Sequence, residues 1–257
     1  MAGRNAARRN ADVLGYRAKL GCIGPSTNTV VQPDYELLRP HGVTNHYSRI
    51  PIENPSGISD ADFIATTNII GDNTLEAVKW AMTCKPDRLV MGMSAVTFYG
   101  GIKGAREFQQ RVEDYAGVEA TIGSIALVEA LRAYGGIRRV AFLSPYYPSA
   151  NREVRAFLEE NGFEVVRDLA MQRPSWLAIA ETTEREVIDA LKSIDGDDVD
   201  ALVQVGTNLS MVRIAAAAEL WLGKPVIAIN TATYWHALRA LGITDPIYGH
   251  GRLLEEF

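Results

Sequence analysis

Two stretches of this chain set glycine, hydroxyl and amide groups where an anion could be held. One is Asp200 to Ser210, DALVQVGTNLS; the other is Asp87 to Gly101, DRLVMGMSAVTFYGG. Each opens with Asp, climbs through a short apolar run and ends in a loop of Gly and hydroxyl residues. Six positions after each Asp stand Met93 and Gly206, followed by Ser94 and Thr207. Neutral hydroxyl and backbone N–H groups converging from two such loops make the donor set that an oxyanion requires. The plainer reading is that each hydroxyl caps a following helix, with Asn208 and Ser210 as alternative caps. A third loop, Pro25-Ser26-Thr27-Asn28-Thr29, adds a carboxamide and further donors that could surround a carboxylate without a fixed positive charge. The same residue types also make ordinary turns. Tyr146 and Tyr147 lie in a fourth loop, SPYYPSAN, where a phenol could donate to an enolate or move a proton. Packing is the commoner fate of a tyrosine.

Other chemistries lack their residues. The histidines, His41, His46, His236 and His250, show no ligand spacing and no neighbouring cysteine, so no metal is expected. His236 is expected on a helix surface; His250, in the tail after Tyr248, is kept as a candidate site residue. Cys22 within a strand and Cys84 at a helix end read as buried, unreactive thiols. There is no P-loop and no G-x-G-x-x-G, so no cofactor is implied. Two cysteines do not make a disulfide framework, which fits a reducing cytoplasm. A net charge of −5 argues against nucleic-acid or membrane-surface partners, and no apolar run approaches a membrane span. The basic start MAGRNAARRN has no apolar core behind it and reads as a flexible arm over residues 1–14.

The elements that must position these loops alternate between strand and helix. Strands are expected at Lys19 to Gly24, Leu89 to Met93, Arg139 to Leu143, Glu164 to Arg167, Leu202 to Val205 and Pro225 to Ile229. Helices are expected at Asn73 to Cys84, Gly104 to Tyr115, Ser124 to Tyr134, from a Ser149 cap to Asn161, from a Thr183/Glu186 capping box to Ser193, onward to Leu222, and Thr233 to Leu241. Between Val30 and Ser59 a proline-rich covering loop is expected, with one short helix and a strand around Asn45 to Ile50. Such alternation implies parallel sheets wrapped by helices. The repeated plan implies an internal duplication: an α/β fold of two pseudo-symmetric lobes, residues 15–118 plus 225–257 and residues 119–224. The active site then falls in the cleft between them, at the strand ends.

Taken together, these motifs resemble the cofactor-independent aspartate/glutamate racemase superfamily, in particular maleate isomerase and arylmalonate decarboxylase, from about Lys19 to Phe257. The loop from Pro25 to Thr29 is similar to one whose asparagine, here Asn28, binds a substrate carboxylate. MGMSAVTFYGG is similar to the decarboxylase loop whose dioxyanion-hole hydroxyl falls on Ser94, and Tyr146 aligns with a tyrosine beside the substrate. The resemblance implies an enzyme, lyase or isomerase, and a dimer or higher homo-oligomer. It also marks a departure. Racemases and maleate isomerase carry a cysteine in each lobe and the decarboxylase one in the second; here those positions are Met93 and Gly206.

The sequence therefore predicts a cofactor-free enzyme acting on a small carboxylate or related carbonyl compound through an enediolate-like or oxyanionic state. Ser94, Tyr146 and Thr207 would be catalytic; Pro25, Asn28, Met93, Gly206 and Asn208 would line the substrate. Proton transfer would run through Tyr146, a water or His250. Two alternatives stand beside this: a hydrolase using activated water or Ser94/Thr207, and a carboxylate-binding protein without catalysis.

Overall fold

The computed structural model describes residues 12–54 and 59–257. Residues 1–11 of the expected arm, and Pro55 of the covering loop, lie outside the described residues. Strand β1 (Ala18–Pro25) is followed by α1 (Val31–Leu37), β2 (Val43–Ile50), α2 (Asp60–Ala81), β3 (Arg88–Met91), α3 (Gly101–Ala116), β4 (Ala120–Thr121) and α4 (Gly123–Tyr134). The second half runs β5 (Arg139–Ser144), α5 (Pro148–Glu160), β6 (Glu164–Ala170), α6 (Trp176–Ala180), α7 (Glu184–Ile194), β7 (Ala201–Gln204), α8 (Val212–Leu222), β8 (Val226–Ala228), α9 (Ile229–Ala240) and α10 (Arg252–Glu256).

The strands form two parallel sheets of one topology, ordered β2-β1-β3-β4 and β6-β5-β7-β8. Helices cover the sheets, so the central strands are buried along their length, as parallel strands must be: β3, β7 and most of β1 and β5 are inaccessible to water. The aspartates that open the two signature stretches have the same role in each half. Asp87 accepts the Lys19 N–H at the start of β1, at 2.8 Å. Asp200 accepts the N–H groups of Arg138 and Arg139 at the start of β5, at 3.0 and 2.8 Å. They anchor strand beginnings, far from the ends where the site lies.

Several expectations shift. The helix expected from Asn73 begins at Asp60, where Ser59 and Asp62 form a reciprocal capping box. Its buried stripe is Phe63, Thr67, Ile70, Gly71, Thr74, Ala77, Val78 and Ala81, five of the eight small or hydroxyl residues; buried Thr67 and Thr74 return their hydroxyls to the carbonyls four residues back. Ser149 does not cap α5: Pro148, with φ pre-set for a first helical turn, starts it one residue earlier. Ser149 instead donates to Asp60, joining the starts of α5 and α2. Sheet membership also differs from the expected lobe limits. β4 pairs with β3 although residue 120 falls beyond 118, and β8 pairs with β7 although residues 226–228 fall in the segment assigned to the first lobe. β4 was not foreseen, nor were α6 and α10, all of five residues or fewer. Among the described residues no helix is long and apolar enough to cross a membrane.

Candidate active site

The C-terminal ends of the four central strands face one another, β1 and β3 from the first sheet and β5 and β7 from the second. Between them lies a cavity of about 50 Å³ lined by Pro25, Asn28, Met93, Ser94, Tyr146, Gly206, Thr207 and Asn208. These are the eight residues the sequence singled out, and the fold brings all of them to one place. The remaining wall is mainly apolar: Ile70, Val96, Pro145, Trp176 and Ile179, with Thr27 and Ala95. No charged side chain is among the lining residues.

Asn28 is held in one orientation. Its Oδ1 accepts the N–H groups of Val30 and Val31, at 3.0 and 2.9 Å, satisfying the start of α1. That turns Nδ2 toward the second sheet, where it donates to Thr207 Oγ1 at 3.0 Å. The Thr207 hydroxyl in turn donates to the Gly92 carbonyl at 3.1 Å. Its proton is thus engaged, so Thr207 joins the two lobes instead of presenting a free O–H to a ligand. Asn208 does the same on the other side, accepting Thr29 N–H at 2.9 Å and donating to the Trp176 carbonyl at 2.8 Å. Behind the loop, Asn230 donates to the Thr207 carbonyl at 2.9 Å and to buried Asp34 at 2.7 Å. Burial raises the Asp34 carboxyl to about 6, against the pull of the Asn230 hydrogen bond.

Ser94 and Tyr146 form the opposite pair. Their oxygens are 2.6 Å apart. Burial pushes the Tyr146 phenol up, outweighing the Ser94 hydrogen bond, so the group keeps its proton at neutral pH. Phe63 packs against Tyr146, Tyr147 and Trp176, at 5.1, 6.0 and 4.9 Å between ring centroids. Neither Ser94 nor Thr207 caps a helix, and neither do Asn208 and Ser210: α8 starts after Met211 with no side-chain cap, and the short 3₁₀ turn at Ala95–Thr97 has none either. Among the described residues, the backbone N–H groups of Ser94, Thr207 and Asn208 have no acceptor within the chain.

Other candidates fall outside the cavity. His250 is half-buried near Arg213, with its Nδ1 unpartnered, and does not line the site. His236, expected on a helix surface, is half-buried beside Thr121 of β4, and it is lowered to about 4 by burial and by Arg88. Cys22 is fully buried and its thiol pushed up by desolvation. Cys84 is only half-buried, contrary to expectation, because the 3₁₀ turn that carries it lies at the end of α2. Tyr147 faces Phe63 and does not line the cavity. The sequence reading missed Ile70, Trp176 and Ile179. Only the Ser175 cap and the four-residue spacing within α2 could have signalled them.

A family model described as arylmalonate decarboxylase matches residues 67–254. A maleate isomerase of Nocardia farcinica is 33% identical over 95% of this chain and 97% of its own. An arylmalonate decarboxylase of Bordetella bronchiseptica is 27% identical over 65% of this chain and 70% of its own. Among solved structures, a mutant Nocardia farcinica maleate cis-trans isomerase with a covalently bound succinylcysteine intermediate superposes with a TM-score of 0.84. That superposition covers 93% of this chain and 98% of the other at 23% identity. A fold of two matched parallel sheets, with its strand-end loops gathered around one cavity, and a family match over most of the length lead to one conclusion: the chain belongs to the arylmalonate decarboxylase family, which it shares with the maleate isomerases.

Proposed function

We propose that this chain is a cofactor-independent enzyme, a decarboxylase or isomerase, acting on a small carboxylate through an enediolate-like or oxyanionic state without a thiol. The observation that carries the reading is the cavity itself: neutral donors arrive from all four strand-end loops, and no charged side chain or cysteine lines it. The Nocardia relative holds its intermediate on a cysteine. The two cysteines of this chain, Cys22 and Cys84, lie elsewhere, and the positions beside the cavity carry Met93 and Gly206. Stabilisation then falls to hydrogen bonds, which are strongest where water and mobile charge are excluded. Asn28 Nδ2 and the N–H groups of Thr207 and Asn208 would hold one carboxylate oxygen set. We assign Ser94 as the donor in its hydrogen bond with Tyr146, which leaves the phenol proton free to donate to the developing enolate. Proton delivery would run through Tyr146 or a water; His250 is too far removed from the lining to serve.

Hydrolysis through Ser94 has little to recommend it, since its hydroxyl partner is a phenol and no His, Asp, Glu or Lys lines the cavity. A non-catalytic carboxylate binder is favoured by one observation, the lack of a proton-donating side chain at positions 93 and 206. Incubation in deuterated water with maleate, malonate and cyclic amides, followed by NMR, separates the two. Turnover or deuterium uptake at carbon supports the enzyme; saturable binding with neither supports the binder. Ser94→Ala and Tyr146→Phe are each expected to lower the rate by about 10²–10³ with little change in thermal midpoint. Two wild-type rates would remove both residues from the mechanism.

A further inference from the structure

Trp176 is the first residue of α6 and is 7% exposed, yet its indole Nε1 has no hydrogen-bond partner among the described residues. The residue lines the cavity. The position is built, not incidental. Ser175 caps α6 through the Ala178 N–H at 3.1 Å, Asn208 binds the Trp176 carbonyl, and Phe63 stacks on the ring at 4.9 Å. A buried donor left without a partner is costly, and buried polar groups are satisfied in the great majority of folds. A phenylalanine would fill much of the same apolar wall without that unpaired donor. The cavity is also small, with room for a few water-sized atoms in the measure by which one water needs roughly 10–15 Å³.

We infer that Trp176 is a specificity-determining residue whose indole N–H is completed by the ligand. It selects compact acids that carry a second hydrogen-bond acceptor, a carboxylate or carbonyl, beyond the one held by the Asn28 and Thr207 loops, and disfavours acids whose far end is apolar. This rests on the carboxylate-binding reading of the same cavity. Phe63 sets the ring plane, and the Asn208 bond ties the Trp176 backbone to the loop that holds the first carboxylate. The two recognition points are thereby fixed relative to each other.

Maleate and isocrotonate test the idea, because they share a cis-alkene acid skeleton and differ in one carboxylate against one methyl. In Trp176→Phe, titration calorimetry is expected to show maleate binding weakened about 10- to 100-fold, the cost of one hydrogen bond to a charged acceptor, with isocrotonate unchanged. The ligand-free variant is expected to have a thermal midpoint equal to or above that of wild type, because an unpaired buried donor has been removed. A structural role would instead lower it. Equal effects on both acids, no effect on maleate, or a lowered midpoint would overturn the inference. Asn28→Asp separates this failure from failure of the carboxylate reading: it should weaken both acids. If it weakens both while Trp176→Phe does not discriminate, only the Trp176 assignment falls. If neither acid binds wild type saturably, or Asn28→Asp leaves both unaffected, both assignments fall.

Discussion

At Gly206 the backbone has φ +116°, and a Cβ built there would lie 2.6 Å from Pro145 Cγ, inside any real contact. The loop has settled into a conformation that side chains rarely adopt. Gly206→Cys is expected to lower stability by about 1–3 kcal/mol through backbone strain and to yield no thiol-dependent turnover. Met93→Cys, at a buried site that already accommodates a side chain, should fold normally. Calorimetric midpoints and alkylation sensitivity check both, and a Gly206→Cys protein as stable as wild type would show that the Pro145 ring yields easily. Asn28 separates cap from donor in the same way. Asp at 28 keeps the oxygen that accepts from Val30 and Val31 but loses the Nδ2 donor and adds a negative charge to a cavity with no cation. Ala loses all three hydrogen bonds, including the two that Oδ1 accepts from Val30 and Val31 at the start of α1. Asn28→Asp should accordingly be the more stable variant and the weaker anion binder, by about 100-fold or more in maleate affinity, since like charges brought together cost several kcal/mol. Matching orders of stability and affinity would contradict this division of labour.

At the scale of elements, α2 shows both what the sequence makes legible and what it conceals. Its first half was hidden because the buried stripe there sets Thr67 and Gly71, which a search for large apolar side chains passes over, alongside Phe63 and Ile70. Conversely, Trp80, within the span where the helix was expected, is 59% exposed. The Thr183/Glu186 capping box of α7 was readable because it has Glu at its third position; the α2 box uses Asp62 for the same purpose. The site residues were legible for a different reason. They sit at strand ends, and buried parallel strands announce themselves as apolar runs closed by turn residues. Trp176 and Ile179 come from α6, a helix of five residues with too little length for any periodicity. Ile70 comes from the half of α2 that was missed. The apolar wall was thus the illegible part of the cavity, and the polar floor the legible part. The α2 cap has a measurable consequence. Ser59→Ala should cost about 1 kcal/mol and speed amide exchange over the first turn of α2, residues 60–63, which carries Phe63 against Tyr146 and Trp176. Unchanged exchange there would mean that the Phe63 contacts alone hold the turn.

Over the whole molecule, α9 packs against strands of both sheets, β3 and β4 on one side and β8 on the other, and two titrations of opposite sign meet on it. Asn230, in its first turn, binds Asp34; His236, two turns later, binds Thr121, which also accepts from Arg88. The Asp34 carboxyl lies at about 6, above its ordinary 3.8, so between those values the folded protein keeps a proton that the unfolded chain releases. Stability from this group therefore grows as pH falls from about 6 toward 3.8. His236 lies at about 4, below its ordinary 6.5, so the unfolded chain takes up a proton first and stability is lost as pH falls from about 6.5 toward 4. Each shift corresponds to something on the order of 3 kcal/mol, and their windows overlap, so the two largely offset. Asp200 and Glu186, both held down to about 2, begin to lose their contribution only at the acid end of this range, as pH falls below their ordinary 3.8 and 4.5 toward about 2. Other charges face the pair: Arg213 weakly favours the Asp34 anion, while Arg88 opposes and Glu129 favours the His236 cation. The offset yields a test that neither group gives alone. His236→Gln should leave the Asp34 slope exposed, so the thermal midpoint rises on acidification from pH 6.5 to 4. Asp34→Asn, which still offers Asn230 an acceptor, should make it fall over the same interval. The double variant should return to the shallow wild-type profile. Calorimetry at four or five pH values decides it: single variants that keep the wild-type slope would show that α9 carries no opposed pair.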